Sequence, residues 1–339
     1  MENNSNSLEK ILDFIRKSHA VLITSHRDPD GDSIGSQLTL AELAESLGKR
    51  CRVINQGNLP DKYRFLDPYG KMERLDGSRE QKSTERALDL VFVLDCTSLD
   101  RLGQVSEILP AGATLVNIDH HPDNEQFGTF NYIDVEASAV GEMVFSLWRH
   151  STLPLTPTVA TQLFAAILTD TGRFKFSNTS PHCLRVCAEL VEAGANPKQV
   201  TNQIYFNHSL AFLKLLGSVL SDSLILLEGK ICAITVRRDL LSRLEVDSGE
   251  MEGVVDYSLF LKGVEIGLLF TEKEECKTKV NLRSQNHLDV SKVARVFGGG
   301  GHRNAAGCTL NHDLEQSKKI IIDLVEKILK NERIGSSGS

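Results

Sequence analysis

The sequence lacks paired cysteines, long apolar runs and an export signal. Its 339 residues include 7 cysteines, an odd number without a CxxC pair, which argues against a disulfide framework in a chain of this length. The apolar runs are far shorter than the roughly 20 residues that cross a bilayer. The N-terminus shows no uninterrupted apolar segment followed by a cleavage site. We therefore expect a folded, reduced, cytoplasmic protein without a membrane partner.

Basic charge and aromatic residues are also scarce. Lys and Arg number 38 against 45 Asp and Glu, which gives a net charge of −7, and aromatics make up 6% of the chain. Long polyanions are usually bound through many Lys and Arg contacts, and single strands through stacked aromatic side chains. The composition therefore argues against duplex DNA and favours small nucleotides or short oligonucleotides as partners.

The chain is about twice the length of a single core, which predicts two domains. In the first half, short apolar runs alternate with helical patterns, as is typical of an α/β domain with a parallel sheet and helices on both faces. Further strand patterns and a helix over 313–330 predict a smaller mixed α/β domain in the second half. The predicted segments are a first domain, a linker helix, a second domain and a disordered tail, at 1–195, 196–218, 219–332 and 333–339.

Acidic and histidine side chains follow three of the predicted strands. One further carboxylate ends a predicted helix, so the candidates for one pocket are His26, Asp30, Asp32, Asp95, Asp119, His120, His121 and Asp170. The carboxyl ends of parallel strands meet at one edge of a sheet, so these side chains can converge. A mixture of carboxylates and imidazoles suits Mn²⁺ and related ions, and two such ions need a bridging carboxylate, for which Asp95 is the natural candidate.

Each of these residues also has a simpler explanation. The aspartates of DPDGD, residues 28–32, can form turns or cap the following helix, and a His pair can be ordinary polar loop. Cys183 and Cys187, one helical turn apart, are better explained by packing than by metal binding. The joint occurrence of metal-type ligands after three separate strands is what favours a metal site.

The second domain contains a glycine-rich segment, GGGGH at 298–302. Glycine backbones allow close approach to an anion, so Gly299, Gly300, Gly301 and His302 are candidate phosphate contacts. Arg283 is another candidate because a guanidinium can grip a phosphate with two hydrogen bonds, and Arg101 is a further one. The simpler alternatives are a flexible loop and surface arginines.

At these residues the chain resembles the DHH phosphoesterase superfamily, named for the triplet Asp119-His120-His121. Four segments are similar to the family motifs in the expected order: HRDPDGDSIGS, LDCTSLDRLG, NIDHHPDN and ILTDTGRF. GGGGHRNAAG at 298–307 resembles the signature of the DHHA1 domain. The resemblance implies two Mn²⁺ ions, with Mg²⁺ or Co²⁺ as substitutes. One would be held by His26, Asp30 and Asp95, and the other by Asp32, Asp95, His120 and Asp170.

The resemblance also implies roles for two residues beside the metals. Asp119 would orient the ring of His120, and His121 would face the substrate phosphate and act with Asp95 and Asp119 in catalysis. The compact layout is more similar to the nano-RNase and pAp-phosphatase branch than to the larger RecJ exonucleases, and the glycine signature argues against a pyrophosphatase. We expect hydrolysis of short oligoribonucleotides to mononucleotides, with pAp as a further candidate substrate.

Two alternatives stay open at this point. One is a phosphodiesterase for cyclic dinucleotides such as c-di-AMP or for their linear products. The other is a nucleotide-binding sensor without turnover, which the full set of expected ligands argues against. A homodimer formed through the first domain is compatible with the sequence, which does not determine the base preference or strand polarity.

Overall fold

The computed structural model describes residues 2–75, 88–246, 251, 253–285 and 288–336, with side chains from Ser5 to Leu329. It divides into two compact units, Met1–Asn207 and His208–Ser339. The predicted linker helix over 196–218 is instead two helices, Pro197–Tyr205 and Leu210–Ser221, and the division falls between them. The last helix continues to Ser336, four residues into the segment predicted as a tail, and 337–339 lie outside the described residues.

The first unit is built on a parallel sheet. Its six strands are β1 (Ala20–Ser25), β2 (Arg50–Asn55), β3 (Met72–Arg74), β4 (Leu90–Leu94), β5 (Thr114–Asp119) and β6 (Phe130–Ile133). They lie in the order β3-β2-β1-β4-β5-β6, and every neighbouring pair is parallel. All residues of β1 and β4 are buried, as expected for central strands of a sheet that is covered on both faces.

Among its described residues this unit has six α-helices, four of which begin at a side-chain cap. They are α1 (Glu2–Lys17), α2 (Gly31–Ser46), α3 (Val140–His150), α4 (Pro157–Asp170), α5 (Pro181–Glu192) and α6 (Pro197–Tyr205). The last three each start with proline, and the preceding Thr156, Ser180 or Asn196 accepts a backbone hydrogen bond. Side chains of the α-helices form the core on one face of the sheet, while the 3₁₀ turns of Leu99–Ile108 pack on the other.

Small residues let α2 and α4 approach closely. A Cβ atom on Gly35 would lie 2.3 Å from the Gln162 carbonyl oxygen, and one on Gly31 would lie 2.5 Å from the side chain of Thr169. Larger residues at these positions would push the helices apart. The close contact holds the beginning of α2 next to the end of α4, where Asp170 lies.

The second unit contains a mixed sheet. Its strands are β7 (Leu224–Leu226), β8 (Ile231–Val236), β9 (Ile266–Glu274), β10 (Lys277–Ser284), β11 (Gly300–His302) and β12 (Ala305–Leu310), in the order β11-β12-β10-β9-β8-β7. β8 and β9 run parallel, and the other neighbouring pairs run antiparallel. The α-helices are α7 (Leu210–Ser221), α8 (Arg238–Leu244), α9 (Val290–Val296) and α10 (Leu314–Ser336). Two apolar clusters pack against the sheet, one with α9 and α10 and one with α7. The predicted fold class is confirmed.

Among the described residues, every helix is too short or too polar to span a lipid bilayer.

Candidate active site

The strands of the first unit bring the predicted metal ligands to one edge of the sheet. His26 follows β1, Asp95 follows β4, and His120 follows β5. Two of the groups whose ligand atoms lie within 4.8 Å of one another are His26, Asp30 and Asp95, and Asp32, His120 and Asp170. The structure therefore gathers all six residues, although about 140 positions separate the first from the last.

Asp30 and Asp32 have different roles at the start of α2. Asp30 is the N-cap, and its Oδ1 accepts hydrogen bonds from the backbone of Asp32 and Ser33, each at 3.1 Å. The simpler explanation, a helix cap, is therefore correct for Asp30 and coexists with its place beside His26 and Asp95. The buried carboxylate of Asp32 accepts from the backbone nitrogens of Val140 and Gly141 at 2.7 and 2.8 Å. Asp32 is thereby fixed by the first turn of α3.

Asp95 has a strained backbone at the end of β4. Its φ is 52°, in the left-handed region that a residue with a side chain seldom adopts. Its nitrogen still donates to the Ile118 oxygen at 3.0 Å, and its Oδ2 lies 3.6 Å from His26 Nε2. The strained residue is the one whose carboxylate lies between the two groups of side chains. Backbone strain in proteins is often found at functional sites.

The ring of His120 is oriented by a backbone carbonyl. Its Nδ1 lies 3.0 Å from the Ala137 oxygen, so Nε2 faces Asp170 Oδ2 at 3.5 Å and Asp32 Oδ2 at 4.0 Å. Asp119, which we predicted to orient this ring, accepts a hydrogen bond from the backbone nitrogen of His120 and bonds the ring of His121. Sequence reasoning missed Ala137, since a carbonyl has no residue signature.

His121 and Asp119 form the third group at this edge. His121 Nδ1 lies 2.8 Å from Asp119 Oδ1 and 3.6 Å from Asp95 Oδ1. Asp119 is completely buried, and its Oδ2 accepts a hydrogen bond from Asn124 at 2.6 Å. A carboxylate hydrogen-bonded to Nδ1 fixes the direction of the ring.

The crowded carboxylates have divergent pKa values. Burial, followed by the charges of Asp95, Asp170 and Asp30, raises the pKa of Asp32 well above its usual range. Burial also raises the pKa of Asp170 to about 7, with the charge of Asp95 adding to the effect and that of His120 opposing it. Burial acts the same way on Asp95, but a hydrogen bond from His26 and nearby imidazole charges outweigh it and lower the pKa.

The His121 and Asp119 pair behaves as an ion pair. Burial would lower the pKa of His121, but the charge and hydrogen bond of Asp119 outweigh it and raise the value to about 9. The same contact holds the pKa of Asp119 below its usual range despite burial. In the two metal-type groups, four carboxylates and two imidazoles converge with mutual repulsion among the carboxylates, which divalent cations would offset. The donor set therefore fits metal binding.

The two arginines predicted to contact substrate belong to different units. Arg101 lies in the 3₁₀ turns after β4, and its backbone oxygen accepts from the Arg27 nitrogen at 2.8 Å. In the second unit, Arg283 Nε donates to Asp256 Oδ1 at 2.9 Å. The surface alternative for Arg283 is wrong, because its side chain is only 19% exposed. A phosphate would have to compete with Asp256 for this guanidinium.

The glycine segment is a strand edge as well as a turn. Gly300, Gly301 and His302 form β11, which pairs with β12, so the alternative of a flexible loop is wrong for these three residues. Gly301 has a φ of 133°, and a Cβ atom on Gly299 would lie 2.2 Å from the Gly307 oxygen. Backbone packing therefore requires glycine at both positions. Because these residues have no side chains, a ligand could come close to their backbone.

Family models and known proteins match this chain along most of its length. The model of the DHH family N-terminal domain matches residues 20–167, and the DHHA1 domain model matches residues 229–331. The bifunctional oligoribonuclease and PAP phosphatase NrnA of Thermus thermophilus is 32% identical over 310 residues, which cover 91% of this chain and 90% of that protein. NrnA of Bacillus subtilis is 26% identical over 90% of this chain and 93% of its own.

A solved structure shows the same fold. The crystal structure of an exopolyphosphatase-related protein from Bacteroides fragilis superposes with a TM-score of 0.87 at 26% identity, and it covers 95% of this chain and 96% of that one. Fold and site together define a hydrolase of phosphate esters with two α/β units. The chain belongs to the DHH family, in the branch that carries a DHHA1 domain and includes the NrnA proteins.

Proposed function

We propose that the protein is a metal-dependent phosphoesterase that hydrolyses short oligoribonucleotides to mononucleotides and removes a phosphate from pAp. The observation that carries this proposal is the convergence of six carboxylate and imidazole side chains in two adjoining groups. The activities in the names of the NrnA relatives support the choice of substrates.

The first ion would be held by His26, Asp30 and Asp95, and the second by Asp32, His120 and Asp170, with Asp95 as the shared carboxylate. Two divalent ions, Mn²⁺ or its substitutes Mg²⁺ and Co²⁺, would lower the pKa of water and offset charge on the phosphoryl oxygens. The charge of Asp95 raises the pKa of both Asp32 and Asp170, which supports a position between the two groups.

His121 would supply a proton to the leaving group. Its pKa near 9 keeps the ring protonated at neutral pH, and its Nδ1–H donates a hydrogen bond to Asp119. The Nε2 proton would then pass to the oxygen that leaves as the P–O bond breaks, while a water that releases one proton to solvent forms the new bond to phosphorus. Asp119 stabilises the protonated ring and would remain ionised throughout.

The charge balance favours short substrates. A net charge of −7 opposes the approach of long polyanions, whereas a dinucleotide needs few contacts. Arg101, Arg283, His302 and the glycines 299–301 are the proposed phosphate contacts. We further propose that the protein acts in the cytoplasm and forms a homodimer.

A substrate panel tests the proposal. Equimolar pAp, a diribonucleotide, a 5-mer, a 30-mer, c-di-AMP and pyrophosphate would be incubated with saturating Mn²⁺, and products followed by chromatography. We expect fastest turnover of the diribonucleotide, turnover of pAp, and slow turnover of the 30-mer. Faster degradation of the 30-mer would indicate a processive nuclease, preference for c-di-AMP a cyclic-dinucleotide phosphodiesterase, and tight binding without products a sensor.

A further inference from the structure

Asn124 lies in the loop after β5, three residues beyond His121. It was not among the site residues predicted from the sequence. Its Nδ2 is within hydrogen-bonding distance of three oxygens: Asp119 Oδ2 at 2.6 Å, Asn117 Oδ1 at 2.8 Å and the Cys96 carbonyl at 3.1 Å. Its Oδ1 accepts from the Gln126 nitrogen at 2.7 Å. Because a backbone N–H can only donate, this contact fixes which end of the amide faces Asp119.

The two oxygens of the Asp119 carboxylate have different hydrogen-bond partners. Oδ1 accepts from the His120 nitrogen at 2.8 Å and meets His121 Nδ1 at 2.8 Å, whereas Oδ2 accepts from Asn124. Asp119 is completely buried, so water cannot replace a lost donor without rearrangement. A carboxylate held at both oxygens cannot rotate about its Cβ–Cγ bond, and the direction of the His121 ring depends on that angle.

The chain of contacts is anchored in the sheet. Asn117 is completely buried in β5, and its Nδ2 donates to the carbonyls of Val93 and Cys96 at 3.1 and 3.2 Å. Its Oδ1 is thereby directed at Asn124. We propose that Asn117, Asn124, Asp119 and His121 form an asparagine relay in which Asn124 is a positioning residue that aims His121 at the reacting phosphate. This inference rests on the proposed function only for the role of His121.

Two substitutions at Asn124 separate positioning from packing. Asn124→Asp preserves the shape and the acceptor for Gln126, but it replaces the donor by an oxygen and places a negative charge next to Asp119. Asn124→Ala removes the donor without adding repulsion. A hydrogen bond to a charged group predicts a kcat lower by roughly 10- to 150-fold in Asn124→Ala, with KM nearly unchanged. We expect Asn124→Asp to be slower still, whereas a purely space-filling role would make the isosteric variant the faster one.

A double-mutant cycle tests whether Asn124 acts through His121. With a diribonucleotide and with pAp, Asn124→Ala should change kcat by less than about threefold in a His121→Ala background, because coupled residues are not additive. Asn131→Ala is the matched control, since Asn131 lies nearby and bonds only to Gly128 among the described contacts, at 2.9 and 3.0 Å. Its kcat should stay at the wild-type value. Additive losses in the cycle would overturn the relay.

A spectroscopic measurement tests the relay without substrate. The Nδ1 proton between His121 and Asp119 should give a downfield proton NMR signal, assigned by its loss in His121→Gln. The signal should shift or broaden in both Asn124 variants and persist unchanged in Asn131→Ala. An unchanged signal in Asn124→Ala would overturn the positioning role. If the wild-type protein turned over neither substrate, the proposed function would fail while this measurement still decided the relay.

Discussion

Gly141 is the position where the packing of three helices determines the geometry of the site. It is the second residue of α3, and its nitrogen donates to Asp32 Oδ1 at 2.8 Å. A Cβ atom in Gly141→Ala would lie 2.6 Å from the Cβ of Ala166 in α4. Carbon atoms in contact are usually about 3.5 to 4.0 Å apart, so α3 and α4 would have to separate by about 1 Å.

This displacement should affect both stability and metal binding. Overpacking of a core usually costs about 1 to 3 kcal/mol in the free energy of unfolding. A shift of about 1 Å also lengthens the hydrogen bond to Asp32 beyond the normal range. A bond to a charged group is worth about 1.5 to 3 kcal/mol, so Mn²⁺ affinity should fall by roughly 10- to 150-fold.

Thermal unfolding and isothermal titration with Mn²⁺ would measure the two effects. Gly217→Ala in α7 is the matched control, because no atom beyond its chain neighbours and its own helix backbone lies within 4 Å of the added Cβ, and it should stabilise the protein by about 0.5 to 1 kcal/mol. Combining Gly141→Ala with Ala166→Gly should restore part of the Mn²⁺ affinity. Wild-type affinity in Gly141→Ala alone would refute the packing argument, whatever the change in stability.

Two further predictions concern the pH dependence of Mn²⁺ binding and the separate roles of Asp95 and His302. Because the pKa of Asp170 is about 7 and that of Asp32 is also raised, protons occupy these carboxylates at lower pH. Mn²⁺ affinity measured by titration should therefore fall from about pH 8 to about pH 6, and a pH-independent affinity would contradict the assignment. Asp95→Asn should lose bound metal and turnover together, whereas His302→Ala should keep its metal and lose roughly 10- to 150-fold in kcat/KM. Elemental analysis with steady-state kinetics checks both, and metal loss in His302→Ala would show that its role is misassigned.

The convergence of the proposed metal ligands was predictable because their positions follow from the parallel sheet. His26, Asp95 and His120 each come directly after an apolar strand, and parallel strands end at the same edge. Asp170 was predictable for a similar reason, since it ends a helix with a clear apolar pattern. These inferences need only the order and direction of the elements.

The supporting contacts were not predictable, because they depend on backbone groups or on distant pairing. The Ala137 carbonyl and the Val140 nitrogen leave no trace in residue type, although they orient His120 and Asp32. The pairing of Arg283 with Asp256 joins residues 27 positions apart and depends on the packing of the second unit. The family resemblance assigned Asp119 to the ring of His120, and only the folded chain shows that its carboxylate bonds to the ring of His121.

The rate of diribonucleotide hydrolysis as a function of free Mn²⁺, set with a chelator buffer, tests the central claim most directly. Water at neutral pH needs divalent ions to become an effective nucleophile in a site of this composition. We expect no turnover at the lowest free Mn²⁺ and a rise to full activity as the ion is added back. Full activity in excess chelator would contradict the proposal that the carboxylate and imidazole groups act by holding metal ions.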